Sequence, residues 1–495
     1  MTTPGSTPGK IPPDALGVAR ALREGELDAV ELTERTLDAA REVGPRVGAF
    51  AHLLEELSRA QAHAASTALG EARRTGTLDQ LERSHPLLGV PLPIKDLTQL
   101  AGAPFEAGSA ILRGNIAQVT DGVAQLLLDA GTVTIGKTTV PEFGFPCYTE
   151  PATSAPARTP WDLRRTAGGS SGGAAAAVAS GIVPLAHGTD GGGSVRIPAA
   201  CCGLVGIKPS RGLVSAGPHG TEGMGLVTDG ILARTVRDAA AGLDLIAVER
   251  PGDFLPRPQL HHRGSGRSTL LAACEQAPEP LRIGVLTEPL AAATEVHPAA
   301  LRGVQRAVEL LEGMGHRVGP VPAPFTPEQW RTFMPLWTVG AAALEVPEQA
   351  EQHLLELTRW LRAEGRGYDG VDLARALSGV QSIARRTGEA FAEVDVVLTP
   401  SLAAPPAFPE TIQLADGGDD FDAQCAFTPF TSTWNMTGWA ALTVPLHRER
   451  IDGVELPFGV QIGATRPGDE PLLLSLAAQL EQADPWPLVR ASQLA

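Results

Sequence analysis

Residues 168–194 constrain this chain more than any other stretch. One end reads Gly168-Gly169-Ser170-Ser171-Gly172-Gly173, the other Thr189-Asp190-Gly191-Gly192-Gly193-Ser194-Val195-Arg196-Ile197-Pro198, and an alanine-rich run at 174–179 joins them. Glycine accepts backbone conformations and close approaches that a Cβ forbids. Serines flanked by glycine can therefore present bare hydroxyls to a ligand, which is what a serine nucleophile needs. The same letters also suit a flexible Gly/Ser connector, and the rest of the chain has to separate the two.

At 495 residues the chain has room for two or three ordinary domains, although large α/β enzymes reach this size as one. Its formal net charge is −16 and no Lys/Arg cluster interrupts that balance. Phosphate backbones and anionic lipid would repel it, so no nucleic acid and no membrane is expected as a partner. Residues 1–13, rich in Pro, Gly and Thr, lack the regions of a signal peptide and read as a disordered tail. The longest weakly polar stretch, 174–186, is mostly alanine and is broken by Ser180, Gly181 and Pro184; a membrane span needs roughly 20 strongly apolar residues. Five cysteines, Cys147, Cys201, Cys202, Cys274 and Cys425, form an odd set without CxxC spacing. They fit free thiols in a reducing cytoplasm better than disulfides or a zinc site. Only four of the 40 basic residues are lysine: Lys10, Lys95, Lys137 and Lys208. Arginine stays charged in a protein, whereas a desolvated lysine can act as a base, so each lysine is a candidate for chemistry.

Asp14 and Asp28 are placed to cap helices that stop near Gly25 and at Gly44-Pro45. Leu53, Leu57, Ala60, Ala64 and Ala68 give residues 51–74 a helical apolar stripe, so residues 14–80 read as a helical layer. From Leu87 an apolar run broken by prolines leads to Lys95, followed by a helix at 122–130 and a strand at 132–135. The run 174–179 reads as a buried helix, 201–209 as a strand and 234–248 as a helix. Residues 249–280, rich in Pro, Gly, His and Arg, read as an exposed excursion. A strand, helix, strand unit covers 281–286, 297–314 and 316–321, and 330–385 is mostly helical. Strands are expected at 394–399, 443–446 and 457–462, with a closing helix at 470–482. This alternation favours a sheet covered by helices.

Two familiar patterns fail on context. Residues 131–138 match the phosphate-loop pattern GxxxxGK[ST], yet a true one follows a strand and opens a helix. Here the pattern follows a helix, and Pro141 stands where a helix should be running. Gly168 to Gly172 match the GxSxG nucleophile elbow, which needs a buried strand before it; residues 161–167 are too polar for one. The nearest histidines, His187 and His219, read as packed or surface residues. Lys95 remains, at the end of an apolar run that would lower its pKa by desolvation.

Lys95-Asp96, Gly136-Lys137-Thr138-Thr139-Val140-Pro141-Glu142-Phe143, Gly168 to Gly173, Asp190 to Pro198 and Cys202 to Pro209 resemble, in that order, the motifs of the amidase signature family. The match begins near Leu88, and Ser170 and Ser194 stand 24 residues apart, the separation that family uses. The resemblance implies an α/β fold in which a single large domain, 81–495, holds a mixed twisted β-sheet sandwiched between α-helices. It places a helical substrate-side region at about 325–390. It implies hydrolysis of a carboxamide C–N bond through an acyl-enzyme, on a small-molecule amide and without metal or cofactor. A homodimer is left open. Residue by residue, Ser194 matches the nucleophile, Ser170 the bridging serine on a cis peptide after Gly169, and Lys95 the base. Gly191, Gly192 and Gly193, with Ser194, match the backbone donors of an oxyanion hole, and Ser171, Asp190 and Arg196 match residues that brace the loop. Residues 208–218 and 474–486 look most like the branch that hydrolyses cyclic nylon oligomers and related lactams, and less like glutaminase subunits of amidotransferases. Esterase or carbamate activity and an inactive scaffold are the other readings.

Three positions depart from the family pattern. Gly191 stands where Thr or Ile is common, Thr159 where Asn is common, and Cys201 where an aromatic is common. Glycine at 191 keeps its N–H, so the oxyanion hole survives, and its missing side chain predicts a wider pocket and a more mobile loop. Phe145, Cys147, Trp330, Trp337, Phe427 and Trp434 are candidates for an apolar acyl pocket, each equally suited to a core.

Overall fold

Asp14 and Asp28 open the first two helices, as their positions predict. In the computed structural model, which describes residues 11–220, 225–261 and 269–487, Asp14 accepts from the Gly17 N–H and caps Ala15–Glu24, which ends at Gly25 with φ +79°. Asp28 accepts from Val30 and Glu31 and caps Ala29–Glu42. The tail at 1–10 lies outside the described residues. The helix expected at 51–74 spans Glu55–Thr75 and starts later than expected because Phe50–Leu53 is a strand, β1. It also buries a different face: Ser58, Ala62, Ala65, Leu69 and Ala72 point inward, while Ala60 and Ala64 are exposed. Alanine tolerates either side of the interface. The rotation follows instead from Ser58, whose hydroxyl lies 2.9 Å from the Thr134 carbonyl it donates to.

β1, Ile94–Lys95 (β2) and Gly136–Thr138 (β3) form a small sheet in the order β1-β3-β2. The strand expected at 132–135 therefore sits further along the chain. The shift places Lys137 of the phosphate-loop-like pattern inside a strand, where it pairs with Asp96 at 2.6 Å and both are buried.

Eight further strands make the main sheet: Leu185–Asp190 (β4), Val205–Lys208 (β5), Thr228–Ala233 (β6), Arg282–Val285 (β7), Arg317–Pro320 (β8), Val396–Pro400 (β9), Ala441–Ile451 (β10) and Val454–Ala464 (β11). Their order is β4-β6-β5-β10-β11-β9-β7-β8. Neighbours are antiparallel except β9-β7 and β7-β8, which are parallel, so the sheet is mixed. Consecutive residues belong to opposite faces, as a pleated strand requires. Ile231 packs with helices Val236–Ile246, Pro298–Gly313 and Glu470–Ala483, and Leu232 packs with the core around Gly172–Ala179 and Arg196–Cys202. The fold is thus a mixed sheet between helical layers in one domain.

Two corrections concern turns. Cys201 and Cys202 end a helix and do not start a strand, because Gly203 at φ +70° closes Arg196–Cys202 before β5 begins. β10 and β11 are 11 residues each, far longer than the runs at 443–446 and 457–462. Asp452 and Gly453 both have positive φ and join them in the Asp-Gly turn whose twist suits a hairpin; the pairing then carries polar residues along. Within 249–280, residues 262–268 lie outside the described part, and a short helix, Leu270–Ala273, follows.

Strand β11 meets its neighbours without slack. A Cβ on Gly463 would lie 2.0 Å from the Trp434 indole. Gly463→Ala should cost about 1–3 kcal/mol by overpacking and lower the melting temperature in a thermal unfolding scan; an unchanged melting temperature would show that the indole can move aside.

Candidate active site

Three segments converge where β4 ends. β4 delivers Thr189 and Asp190; the turn 191–195 follows and runs into helix Arg196–Cys202. The segment 168–171 precedes the wholly buried helix Gly172–Ala179. Its Gly169–Ser170 peptide is cis, and the Ser171 N–H donates to the Ser194 carbonyl at 3.1 Å, drawing the two serine motifs together. β2 brings Lys95, whose Nζ lies 2.8 Å from Ser170 Oγ, 2.8 Å from Thr189 Oγ1 and 3.2 Å from the Thr189 carbonyl. The Ser171 hydroxyl donates to that same carbonyl at 3.3 Å.

Lys95 is fully buried, and burial pulls its pKa down from 10.5 to about 7, with Asp190 and Asp229 opposing the shift. Its backbone N–H donates to His187 Nδ1 at 3.3 Å, while His187 Nε2 lies 2.8 Å from Asp229 Oδ1. One ring nitrogen thus meets the Lys95 backbone and the other the Asp229 carboxylate. The other two described lysines are also buried. Lys137 is paired with Asp96, and Lys208, whose pKa burial also lowers to about 7, donates to the Pro209 carbonyl at 2.6 Å.

The loop before Ser194 is built on a buried ion pair. Asp190 receives Arg196 Nη2 at 2.9 Å and Nε at 3.0 Å, the Asn435 amide at 2.9 Å and the Val195 N–H at 3.1 Å. Burial disfavours its charge, yet Arg196, Lys208 and Asn435 hold its carboxyl well below the usual range. Arg196 also donates to the Thr431 carbonyl at 2.7 Å, Gln461 Oε1 at 2.6 Å and Asn435 Oδ1 at 2.7 Å. Of the three glycines expected to offer oxyanion donors, Gly193 departs from that role: its N–H donates to Asp190 Oδ1 at 2.8 Å. The Gly191, Gly192 and Ser194 amides carry no such bond among the described residues. Thr431 Oγ1 donates to the Gly192 carbonyl at 2.6 Å and fixes that peptide from behind.

Ser194, Gly191 and Gly192 open on an apolar cleft of about 640 Å³, counted to its open mouth, whose walls include Phe145, Cys147, Trp330, Phe333, Trp337 and Phe421. Among the described residues no charged side chain lines it. The Phe145 loop is held by Gln424, whose Oε1 accepts the Cys147 N–H at 2.7 Å, and by Glu142, which accepts the Leu355 N–H at 2.8 Å. Trp434 stands apart from the cleft: it is fully buried and its indole N–H donates to the Ala464 carbonyl at 3.0 Å, so it belongs to the sheet. Phe427 likewise packs in the core around Gly172–Ala179. A side chain large and apolar enough for a pocket is equally suited to a core, and only topology separates the two.

Sequence reading missed Thr189, His187, Asn435, Gln461 and Thr431 as partners. Thr189 adjoins Asp190 in the motif and could have been flagged. The last three come from segments some 240 or more residues away, and nothing local marks them.

No helix among the described residues is long and apolar enough to cross a membrane. The amidase family model matches residues 31–474. The 6-aminohexanoate-cyclic-dimer hydrolase of Paenarthrobacter ureafaciens is 33% identical over 513 residues, covering 97% of this chain and 96% of that protein. A solved structure of 6-aminohexanoate cyclic dimer hydrolase superposes with a TM-score of 0.83 at 30% identity, covering 96% of this chain and 97% of that one. The peptide amidase of Stenotrophomonas maltophilia superposes with a TM-score of 0.74 at 25% identity, covering 95% and 96%.

Removing Arg196 would leave Asp190 buried without its partner, a loss of about 3–5 kcal/mol. Arg196→Ala should therefore lower both the melting temperature and the turnover of any amide substrate. Arg196→Lys should fail to restore them, since one ammonium cannot replace the fork that reaches four partners; full rescue by lysine would show that charge alone suffices.

Proposed function

The chain belongs to the amidase family and is a hydrolase acting on carbon–nitrogen bonds, and on that premise we propose that Ser194, Ser170 and Lys95 carry its chemistry. The observation that carries this reading is the contact between Lys95 Nζ and Ser170 Oγ, 2.8 Å apart in a site that leaves the lysine with a pKa near 7. A neutral amine there takes the Ser170 proton while Ser170 takes that of Ser194. Ser194 Oγ attacks the amide carbonyl carbon. The Gly191, Gly192 and Ser194 N–H groups receive the oxyanion, each donor being worth roughly 3–4 kcal/mol when it is aimed at the developing charge. The proton returns through Ser170 to the leaving nitrogen, the C–N bond breaks and the amine departs. Water, deprotonated by the same relay, then attacks the ester and releases the carboxylic acid and Ser194.

Asp190, Arg196 and Ser171 act through position: they hold the turn that carries Ser194 and the carbonyl that meets Lys95. The helical region at about 325–390 is the substrate side, a reading supported by Trp330, Phe333 and Trp337 in the cleft wall. An uncharged lining suits a neutral amide with an apolar acyl part, cyclic or open. All five cysteines are free, which suits a cytoplasmic setting.

A depressed lysine pKa leaves the amine charged and unable to accept a proton below about 7, and neutral above it. The rate should accordingly rise with pH through that region, and Lys95→Ala should be slow and lack this acidic limb; an unchanged limb would place the titration elsewhere. Ser194→Ala should lose both amide hydrolysis and labelling by a fluorophosphonate, and activity well above background would remove Ser194 from the mechanism.

A further inference from the structure

The space beside Gly191 is bounded by Val227 and Trp337. A Cβ built there would lie 3.4 and 3.5 Å from two ring carbons of Trp337 and 2.9 Å from Val227 Cγ2. Val227 is more than half exposed and can turn toward solvent. Trp337 is held: its ring meets Phe145 edge-on at 5.9 Å and Phe333 at 6.3 Å, and Phe333 in turn lies 4.6 Å from Trp330. Offset and edge-to-face contacts of this kind favour one ring orientation. A side chain at 191 would thus start in van der Waals contact with an indole packed in a run of rings, leaving little room on that side for branches beyond Cβ.

We propose that Gly191 and Trp337 form a specificity pair, in which glycine admits the indole to the nucleophile loop and the indole selects amides whose acyl group is uncharged, flat and aromatic. This rests on the amide-hydrolase reading and deepens it. An aromatic acyl group lies in the cleft against the Trp337 ring while its carbonyl reaches the Gly191 and Gly192 amides. A β-branched residue at 191 pushes the indole away from that position. A straight-chain acyl group has no face to stack and feels the change less.

The test compares benzamides with straight-chain alkanamides of similar length, with kcat and KM determined separately. Gly191→Ile should lower kcat/KM for benzamides about tenfold more than for alkanamides, the scale of a steric mismatch in an apolar pocket, with that difference carried chiefly by KM. In a Trp337→Ala background the difference between the two classes should shrink to less than threefold, since contacting residues couple. Equal losses on both substrate classes, or an unchanged difference in the Trp337→Ala background, would overturn the proposal. So would loss of fluorophosphonate labelling at Ser194 in Gly191→Ile, which would trace the effect to the oxyanion loop. Failure of the amide-hydrolase reading is a separate result: a wild-type chain that cleaves neither class and takes no label.

Discussion

The buried pair of Asp190 and Arg196 is the interaction on which the rest of the site depends. Neither charge could stand alone away from water, and their attraction outweighs desolvation only with the remaining donors and acceptors satisfied. Asp190 fills its capacity with the Gly193 and Val195 N–H groups and the Asn435 amide. Arg196 reaches Thr431, Gln461 and Asn435, and Gln461 donates onward to Thr399 at 3.0 Å. The loop bearing Ser194 is thereby tied to β11 and β9 at the middle of the sheet.

Desolvation disfavours the charge on Asp190 and on Lys95 alike, with opposite outcomes. At Asp190 it is overcome by the neighbouring cations and the carboxylate stays charged; at Lys95, where only Asp190 and Asp229 oppose it, it lowers the pKa to about 7. A permanent charge organises the turn, and a labile one is available for proton transfer. Binding Gly193 to Asp190 leaves one fewer free N–H in the turn than three consecutive glycines suggest, and fixes that peptide against the carboxylate.

The cleft follows a different logic from the loop. Its wall is assembled from the segments 145–147, 330–337 and 421–436, and the rings contact one another in a chain from Phe145 to Phe421. Two polar anchors, Gln424 on Cys147 and Glu142 on Leu355, hold the first of these segments in place. Gly191 is where loop and cleft meet: a Cβ there would touch the ring of Trp337.

How much of this was legible in the sequence depended on the range of the interaction. Helix caps at Asp14 and Asp28, the buried helix at 174–179 and the serine motifs are local, and spacing and residue type reveal them. Composition could not choose between two alanine faces on Glu55–Thr75, nor could a short apolar run forecast the length of the β10-β11 hairpin, whose polar half is held by its turn and pairing. Trp434 and Trp337 are the same residue type; one backs Gly463 in the sheet and the other borders Ser194. By itself the sequence determined the residues able to do the chemistry, since hydroxyl, amine and glycine carry their properties wherever they stand. Only the tertiary structure decided the pKa of Lys95, the engagement of Gly193 and the occupant of the space at Gly191, because burial and contact arise from segments that meet only when the chain is folded.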